Sequence, residues 1–300
     1  MGFWGGGKTL KIADLEQGPM DLWRRLRDMY RNARVRRKVA EHVEGSDLFY
    51  KLGIEITSAC NYRCPFCPQS KSARPEAYMS FSSVSLIVEQ LVALRYAGEI
   101  SLSVTNEPFC HPRCLEFAGL ISKKLPKCNL RFNSNGSLID KIILDGLHGI
   151  STPFIAQIND YTGGRELSRL GGLLSGYDAE FQSRFILKRR SFGERLSTRG
   201  GAAQSRRRRD YFGDFDCLLP YFRMDIGTDG SVILCCADYR YQMAFGNIHT
   251  AALKDIWNSE EFRELRRTLF RGKRRSVSLC SRCDMAAPGL PQWLTGSSSA

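Results

Sequence analysis

No uninterrupted apolar run approaches the roughly 20 residues that a membrane-spanning helix needs, so no transmembrane helix is expected. The start, Met1 to Lys8, lacks the basic opening and apolar stretch of a secretory signal, which makes the cytoplasm the expected location. Eleven cysteines cannot all pair, and a chain of 300 residues does not need disulfides to hold its core. Acidic side chains are in deficit. The 44 lysines and arginines outnumber 31 aspartates and glutamates, for a formal net charge of +13. The excess gathers around Arg24 to Arg27, Arg34 to Lys38, Lys188 to Arg190, Arg206 to Arg209 and Arg271 to Arg275. Basic clusters attract phosphates and nucleic acid. Two readings follow: solvated basic faces, or a phosphorylated or nucleotide-linked substrate. What remains, 43% hydrophobic and 25% charged residues, is ordinary for a globular protein.

Periodicity organises the chain into βα units. Residues Met20 to Val43 read as an amphipathic helix, with Leu22, Leu26, Met29, Ala33, Val39 and Val43 near one face and arginines opposite. From Tyr50 to Thr57 the apolar residues alternate at Leu52, Ile54 and Ile56, the pattern of a half-buried strand. Helical patterns over Ser82 to Tyr96, Leu115 to Lys124 and Leu138 to Leu147 then alternate with strand patterns at Glu99 to Val104 and Asn129 to Phe132. Phe154 to Ile158 and Phe185 to Leu187 are further strand candidates, while the glycine-rich stretch Tyr161 to Gly176 is hard to assign. This alternation predicts an α/β fold with a parallel sheet. Residues Gly193 to Asp216 carry little apolar pattern and read as a linker or substrate-facing loop. Beyond them, Thr228-Asp229-Gly230 between two alternating segments predicts a β-hairpin, followed by a helix from Ala252 to Phe270.

The cysteines fall into two spaced sets. Cys60, Cys64 and Cys67 follow the first predicted strand within eight residues. Three thiolates on one loop can hold three irons of a cubane cluster and leave the fourth open to a small molecule. A zinc site would want a fourth ligand nearby, and neither His42 nor His111 is local. Cys217, Cys235, Cys280 and Cys283 form the second set, able to fill a four-thiolate site for zinc or for a 4Fe-4S cluster. Cys110, Cys114 and Cys128 match no ligand spacing and read as core or surface thiols.

The first set, with the aromatic Phe66 before its last cysteine, resembles the signature of the radical S-adenosylmethionine (SAM) superfamily. Thr105-Asn106-Glu107-Pro108 resembles that family's motif for the SAM amino group, with Glu107 carrying the match, and Asn135-Gly136 resembles its strand end near the SAM ribose. The spacing of Cys217, Gly230 and Cys235, then Phe245 to Ile248, Ile256 to Asn258, and the final Cys280 and Cys283 resembles the SPASM/twitch domain. No cysteine follows Cys283, so the resemblance is to the shorter twitch form with a single auxiliary cluster. The resemblance implies a partial (β/α)6 barrel with a small C-terminal twitch domain of β-hairpin plus helix. It divides the chain into a basic helical extension (1–48), the barrel (49–200), a basic linker (201–216), the twitch domain (217–290) and a tail (291–300).

The implied cofactors are SAM and two 4Fe-4S clusters, with a flavodoxin- or ferredoxin-type reductant as partner. The cofactors supply a 5′-deoxyadenosyl radical that abstracts hydrogen, and a fully ligated second cluster suits electron transfer. Dehydrogenation of a secondary alcohol in a small polar substrate, as in relatives that modify sugars and aminocyclitols, is therefore the expected reaction. Arg199 is the candidate substrate contact, as a bidentate donor or a proton acceptor, set against an ordinary loop arginine. Cys236 is a candidate hydrogen donor, which would point to epimerisation, set against a small buried residue. Dehydration, ribosomal-peptide modification and a non-catalytic metal-cluster protein binding nucleic acid are the alternatives.

Overall fold

A computed structural model of the chain describes residues 48–71, 74–190, 197–203 and 217–284. The helix expected over Met20 to Val43, the tail, and most of the segment from Gly193 to Asp216 lie outside the described residues.

Five parallel strands run β1 (Lys51–Ile54), β2 (Glu99–Ser101), β3 (Asn129–Ser134), β4 (Phe154–Asp160) and β5 (Phe185–Arg189). Each pairs in parallel with its predecessor. Between them lie α1 (Pro68–Lys71), α2 (Phe81–Ala93), α3 (Cys114–Lys124), α4 (Lys141–His148), α5 (Arg165–Leu174) and α6 (Ala179–Ser183). Crossovers between successive parallel strands are as a rule right-handed, which places the connecting helices on one face of the sheet. That face is apolar, because strand alternation sends Leu52, Ile54, Leu130, Phe132, Phe154, Ala156 and Ile158 to it, each at most 3% exposed.

The helices begin where side chains can replace missing backbone partners. Ser80 accepts a bond from the N–H of Ser83 at the start of α2, and Asp140 does the same for Ile143 in α4. Helix α2 then buries Val84, Ile87, Val88 and Leu91, a single helical stripe. The glycine-rich stretch that resisted assignment holds α5. Gly164 sits at its N-cap with φ of 112°, a conformation open to glycine.

The sheet does not stop at β5. Strand β6 (Arg223–Ile226) pairs in parallel with β1, and β7 (Ser231–Ile233) and β8 (Ala244–Asn247) extend it antiparallel. The order is β5-β4-β3-β2-β1-β6-β7-β8. Six parallel strands are thus present among the described residues, the sixth supplied by Arg223–Ile226. The hairpin expected at Thr228-Asp229-Gly230 is β6–β7. The single helix expected from Ala252 to Phe270 is two, α7 (Leu253–Asn258) and α8 (Glu260–Phe270), because Ser259 turns extended and caps α8 through the N–H of Phe262. A last short helix, α9 (Ser278–Ser281), carries Cys280.

Candidate active site

Parallel strands carry their chemistry at their C-terminal ends, and the residues after β1, β2 and β3 meet there. The loop after β1 holds Cys60, Cys64 and Cys67, all partly exposed. The N–H of Cys67 donates to the carbonyl of Cys64 at 2.9 Å, and Arg63 Nη1 donates to the carbonyl of Cys60 at 2.6 Å. Burial pushes the Cys60 thiol up to about 12 and that of Cys64 up to about 11, and the Cys67 sulfur adds to both shifts. Desolvated thiols in this state need a positive partner to become thiolates, and soft metal centres such as iron-sulfur clusters provide one.

Glu107 follows β2 and is 2% exposed. Its carboxylate accepts from Ser134 Oγ at 2.8 Å and from the N–H of Asn135 at 2.7 Å. Burial outweighs these bonds and raises its pKa to about 7. Asn135 Nδ2 donates to Asn61 Oδ1 at 2.8 Å, while Asn61 Nδ2 donates to Ser137 Oγ at 2.8 Å. The cysteine loop is thereby stitched to the end of β3. Gly136 has φ of 82°, and a Cβ there would stand 2.7 Å from Ile158 Cγ2. Phe66 packs on Tyr161, which follows β4, with ring centroids 5.1 Å apart.

The second set converges as well. Cys217, Cys235, Cys280 and Cys283 are buried, and Cys217 and Cys283 lie within electrostatic reach of each other and of both other thiols. Burial raises the Cys280 thiol to about 12 and lifts Cys217 and Cys235. The Arg274 guanidinium works against the shifts at Cys217 and Cys280, a cation suited to a multiply negative thiolate centre. Among the described residues no three His, Cys, Asp or Glu side chains are already drawn together for a metal ion.

Arg199 lies beside the second set. Residues 197–203 pack on the second set: Thr198 Oγ1 donates to the carbonyl of Arg282 at 2.9 Å, and its N–H to Asp284 Oδ1 at 2.7 Å. Arg199, Gly200 and Gly201 all have positive φ, and a Cβ at Gly200 would lie 2.6 Å from Leu279 Cδ1. The Arg199 charge acts on both Tyr161 and Cys236. Cys236 is half-buried, and desolvation raises its thiol while Arg223 and Arg199 oppose the shift. Cys114 and Cys128 are core thiols, whereas Cys110 stands by Cys60 and accepts from the N–H of Asn61. His111 is structural, its Nδ1 accepting from the N–H of Arg113 and its Nε2 bonded to the Met79 carbonyl.

One assembly has no local signal in the sequence. Glu55, fully buried at the end of β1, receives Arg74 Nη2 at 2.8 Å and is also bonded by Thr105 and Tyr241. The Arg74 guanidinium lies 4.6 Å from the ring centroids of both Tyr239 and Tyr241. Tyr239 Oη donates to Gln69 Oε1 at 2.8 Å. This knot binds the segments flanking the three-cysteine loop to the one that follows Cys235, but its partners lie up to 186 residues apart in the chain.

Comparison with known proteins agrees with this geometry. Residues 54–156 match the radical SAM superfamily, and residues 217–284 match SPASM, an iron-sulfur cluster-binding domain. The chain thus contains a radical SAM domain and a C-terminal SPASM domain. Over 241 residues it is 28% identical to the S-adenosyl-L-methionine-dependent 2-deoxy-scyllo-inosamine dehydrogenase of Niallia circulans, covering 79% of this chain and 93% of that protein. The crystal structure of BtrN in complex with AdoMet and 2-DOIA superposes with a TM-score of 0.71 at 25% identity, covering 79% of this chain and 94% of that one. Native anSMEcpe with bound AdoMet, at 14% identity and a TM-score of 0.52 over 71% and 82% of the two chains, shares the fold. The two domains imply 4Fe-4S chemistry and SAM as cofactor. No described helix is long and apolar enough to cross a membrane.

Proposed function

We propose that this chain dehydrogenates a secondary alcohol of a small hydroxylated substrate, a sugar or an aminocyclitol, in cytoplasmic natural-product biosynthesis. The observation that carries the reading is that Arg199 lies within electrostatic reach both of Tyr161, which packs on Phe66 of the three-cysteine loop, and of Cys236, next to the buried four-cysteine set. The related Niallia circulans dehydrogenase supports the reaction type. When bound, a 4Fe-4S cluster with SAM supplies a 5′-deoxyadenosyl radical and a second 4Fe-4S cluster an electron acceptor, so that CH–OH becomes C=O with loss of one hydrogen atom, one electron and one proton.

Cys60, Cys64 and Cys67 would hold the first cluster and Cys217, Cys235, Cys280 and Cys283 the second. A flavodoxin- or ferredoxin-type protein would be the reductant. Arg199 donates to the substrate oxygen and holds the reacting carbon in place. Glu107 accepts the SAM ammonium, Asn135 and Gly136 lie along the ribose, and Phe66 borders the nucleoside. Because Glu107 titrates at about 7 in place of the usual 4.5, its ionised form grows as pH rises. SAM affinity is therefore expected to increase about tenfold between pH 6 and pH 8. A Glu107→Gln variant should bind weakly with a flat profile. A wild-type affinity that does not change with pH would remove Glu107 from the ammonium site.

The reading is tested with anaerobically reconstituted enzyme, SAM, dithionite and a panel of aminocyclitols and sugars. One equivalent of carbonyl product per 5′-deoxyadenosine is expected. The Cys236 thiol, within electrostatic reach of Arg199, favours one second reading, epimerisation with Cys236 returning a hydrogen atom. Solvent deuterium appearing in a product of unchanged oxidation state, and lost in Cys236→Ala, would replace dehydrogenation by that reaction.

A further inference from the structure

The sheet face opposite the helices carries mostly polar side chains, with the exposed Ile155 and Ile186 among them. Strand register puts Lys51, Gly53, Ser101, Arg131, Gln157, Arg223 and Asp225 on it, and toward the C-terminal ends Asn133, Asn159 and Lys188. Three carboxylates belong to this face, and each already has a cation. Glu99 pairs with Lys51 at 2.9 Å, Asp225 with Arg223 at 2.6 Å and Glu55 with Arg74 at 2.8 Å. Even Gly53 fits the scheme, since a Cβ there would collide with the Asp225 carboxylate.

Two cations are left without a carboxylate among the described residues. Arg131 Nη2 and Lys188 Nζ both donate to the same neutral oxygen, Gln157 Oε1, at 3.4 and 3.2 Å. Gln157 Nε2 in turn donates to Asn159 Oδ1 at 3.2 Å, which leaves the Asn159 amide hydrogens as further donors. Like charges converging on one amide oxygen repel each other, and neither the amide nor the neighbouring Asn133, bonded to Ser103 Oγ at 3.4 Å, neutralises them. An anion would. The guanidinium fork and the ammonium together match the oxygens of a phosphate or carboxylate.

The position suits a substrate. Gln157 pairs with Asn133 and Lys188 with Asn159, each one residue or a few from the strand ends at Ser134 and Asp160. Those strands lead directly into Asn135-Gly136 and Tyr161, which border the three-cysteine loop. We infer that Arg131 and Lys188 form an anion subsite on this face, and that the substrate carries a phosphate or carboxylate group in addition to the hydroxyl that is oxidised. The inference rests on the radical dehydrogenase reading for the reacting hydroxyl, but the subsite itself is read from charge and geometry alone.

Calorimetry tests it on the full-length, anaerobically reconstituted protein with SAM and no reductant, so that no turnover is required. The probes are glucose 6-phosphate, glucuronate and glucose. At least one anion is expected to bind about tenfold or more tightly than glucose, and Lys188→Gln and Arg131→Gln each to remove about tenfold of that binding. The phosphate and carboxylate arms show which anion is preferred. Arg184→Gln, a surface change elsewhere in the same region, should leave it unchanged. Lys188 is exposed, so its variant reads binding without a folding penalty. Equal binding of glucose and both anions, or wild-type anion binding by Lys188→Gln, would overturn the subsite. Failure to form 5′-deoxyadenosine in the turnover assay would instead sink the radical reading and leave this result standing.

Discussion

Replacing Cys60, Cys64 and Cys67 together by alanine is expected to lower bound iron from about eight to about four per chain and to abolish 5′-deoxyadenosine formation. The two cysteine sets are separate bodies of ligands. The loop of the first is held by backbone bonds that alanine keeps, such as Met79 N–H to the Ile56 carbonyl and Glu107 N–H to the Ala59 carbonyl. The second set lies around Arg274 and α9, so its four irons should survive. Iron and sulfide analysis with chromatography of the SAM products reads both effects. A variant that still cleaves SAM, or a wild type that holds one zinc, would defeat the assignment of the first set to an open-iron cluster.

Arg74→Ala should be the most damaging single change outside the cysteines. It leaves Glu55 buried without its cation and removes the guanidinium from between Tyr239 and Tyr241. Breaking a buried pair in this way costs about 3–5 kcal/mol, because the remaining charge has no solvent to turn to. For a domain of this size the melting temperature of the reconstituted enzyme would fall by about 10 °C. The double variant Glu55→Gln, Arg74→Met removes both charges and should recover much of that loss. A single variant melting within about 2 °C of wild type would show that water or a rearranged Tyr241 already compensates Glu55.

Local pattern carried the sequence reading far. Alternation at Leu52, Ile54 and Ile56 and the helical stripe of Val84, Ile87, Val88 and Leu91 locate β1 and α2 within a few residues. The three-cysteine loop and Glu107 meet in the structure because short connections carry both to the same strand ends. What the sequence hid depends on distant partners. Nothing near Arg223 to Ile226 announces that this strand pairs with β1, since a strand edge is recognised by its neighbour and not by its own residues. The Glu55, Arg74 and Tyr241 knot is likewise assembled from residues that look ordinary where they stand in the chain. The break at Ser259 coincides with four polar residues, Asn258 to Glu261, that interrupt the apolar spacing between Trp257 and Phe262.

The pairing of β6 with β1 also sets a timetable for biosynthesis. A ribosome adding about 5–20 residues per second makes Cys60 roughly ten to thirty seconds before it reaches Arg223. During that interval β1 has one unfilled edge, and neither Tyr239 nor Tyr241 yet exists to close over Arg74. The nascent chain therefore keeps that flank of its three-cysteine loop open until Tyr239 and Tyr241 are made. Metal loading of the first set can precede completion of the sheet, whereas the second set must wait for the last thiols, Cys280 and Cys283, to emerge.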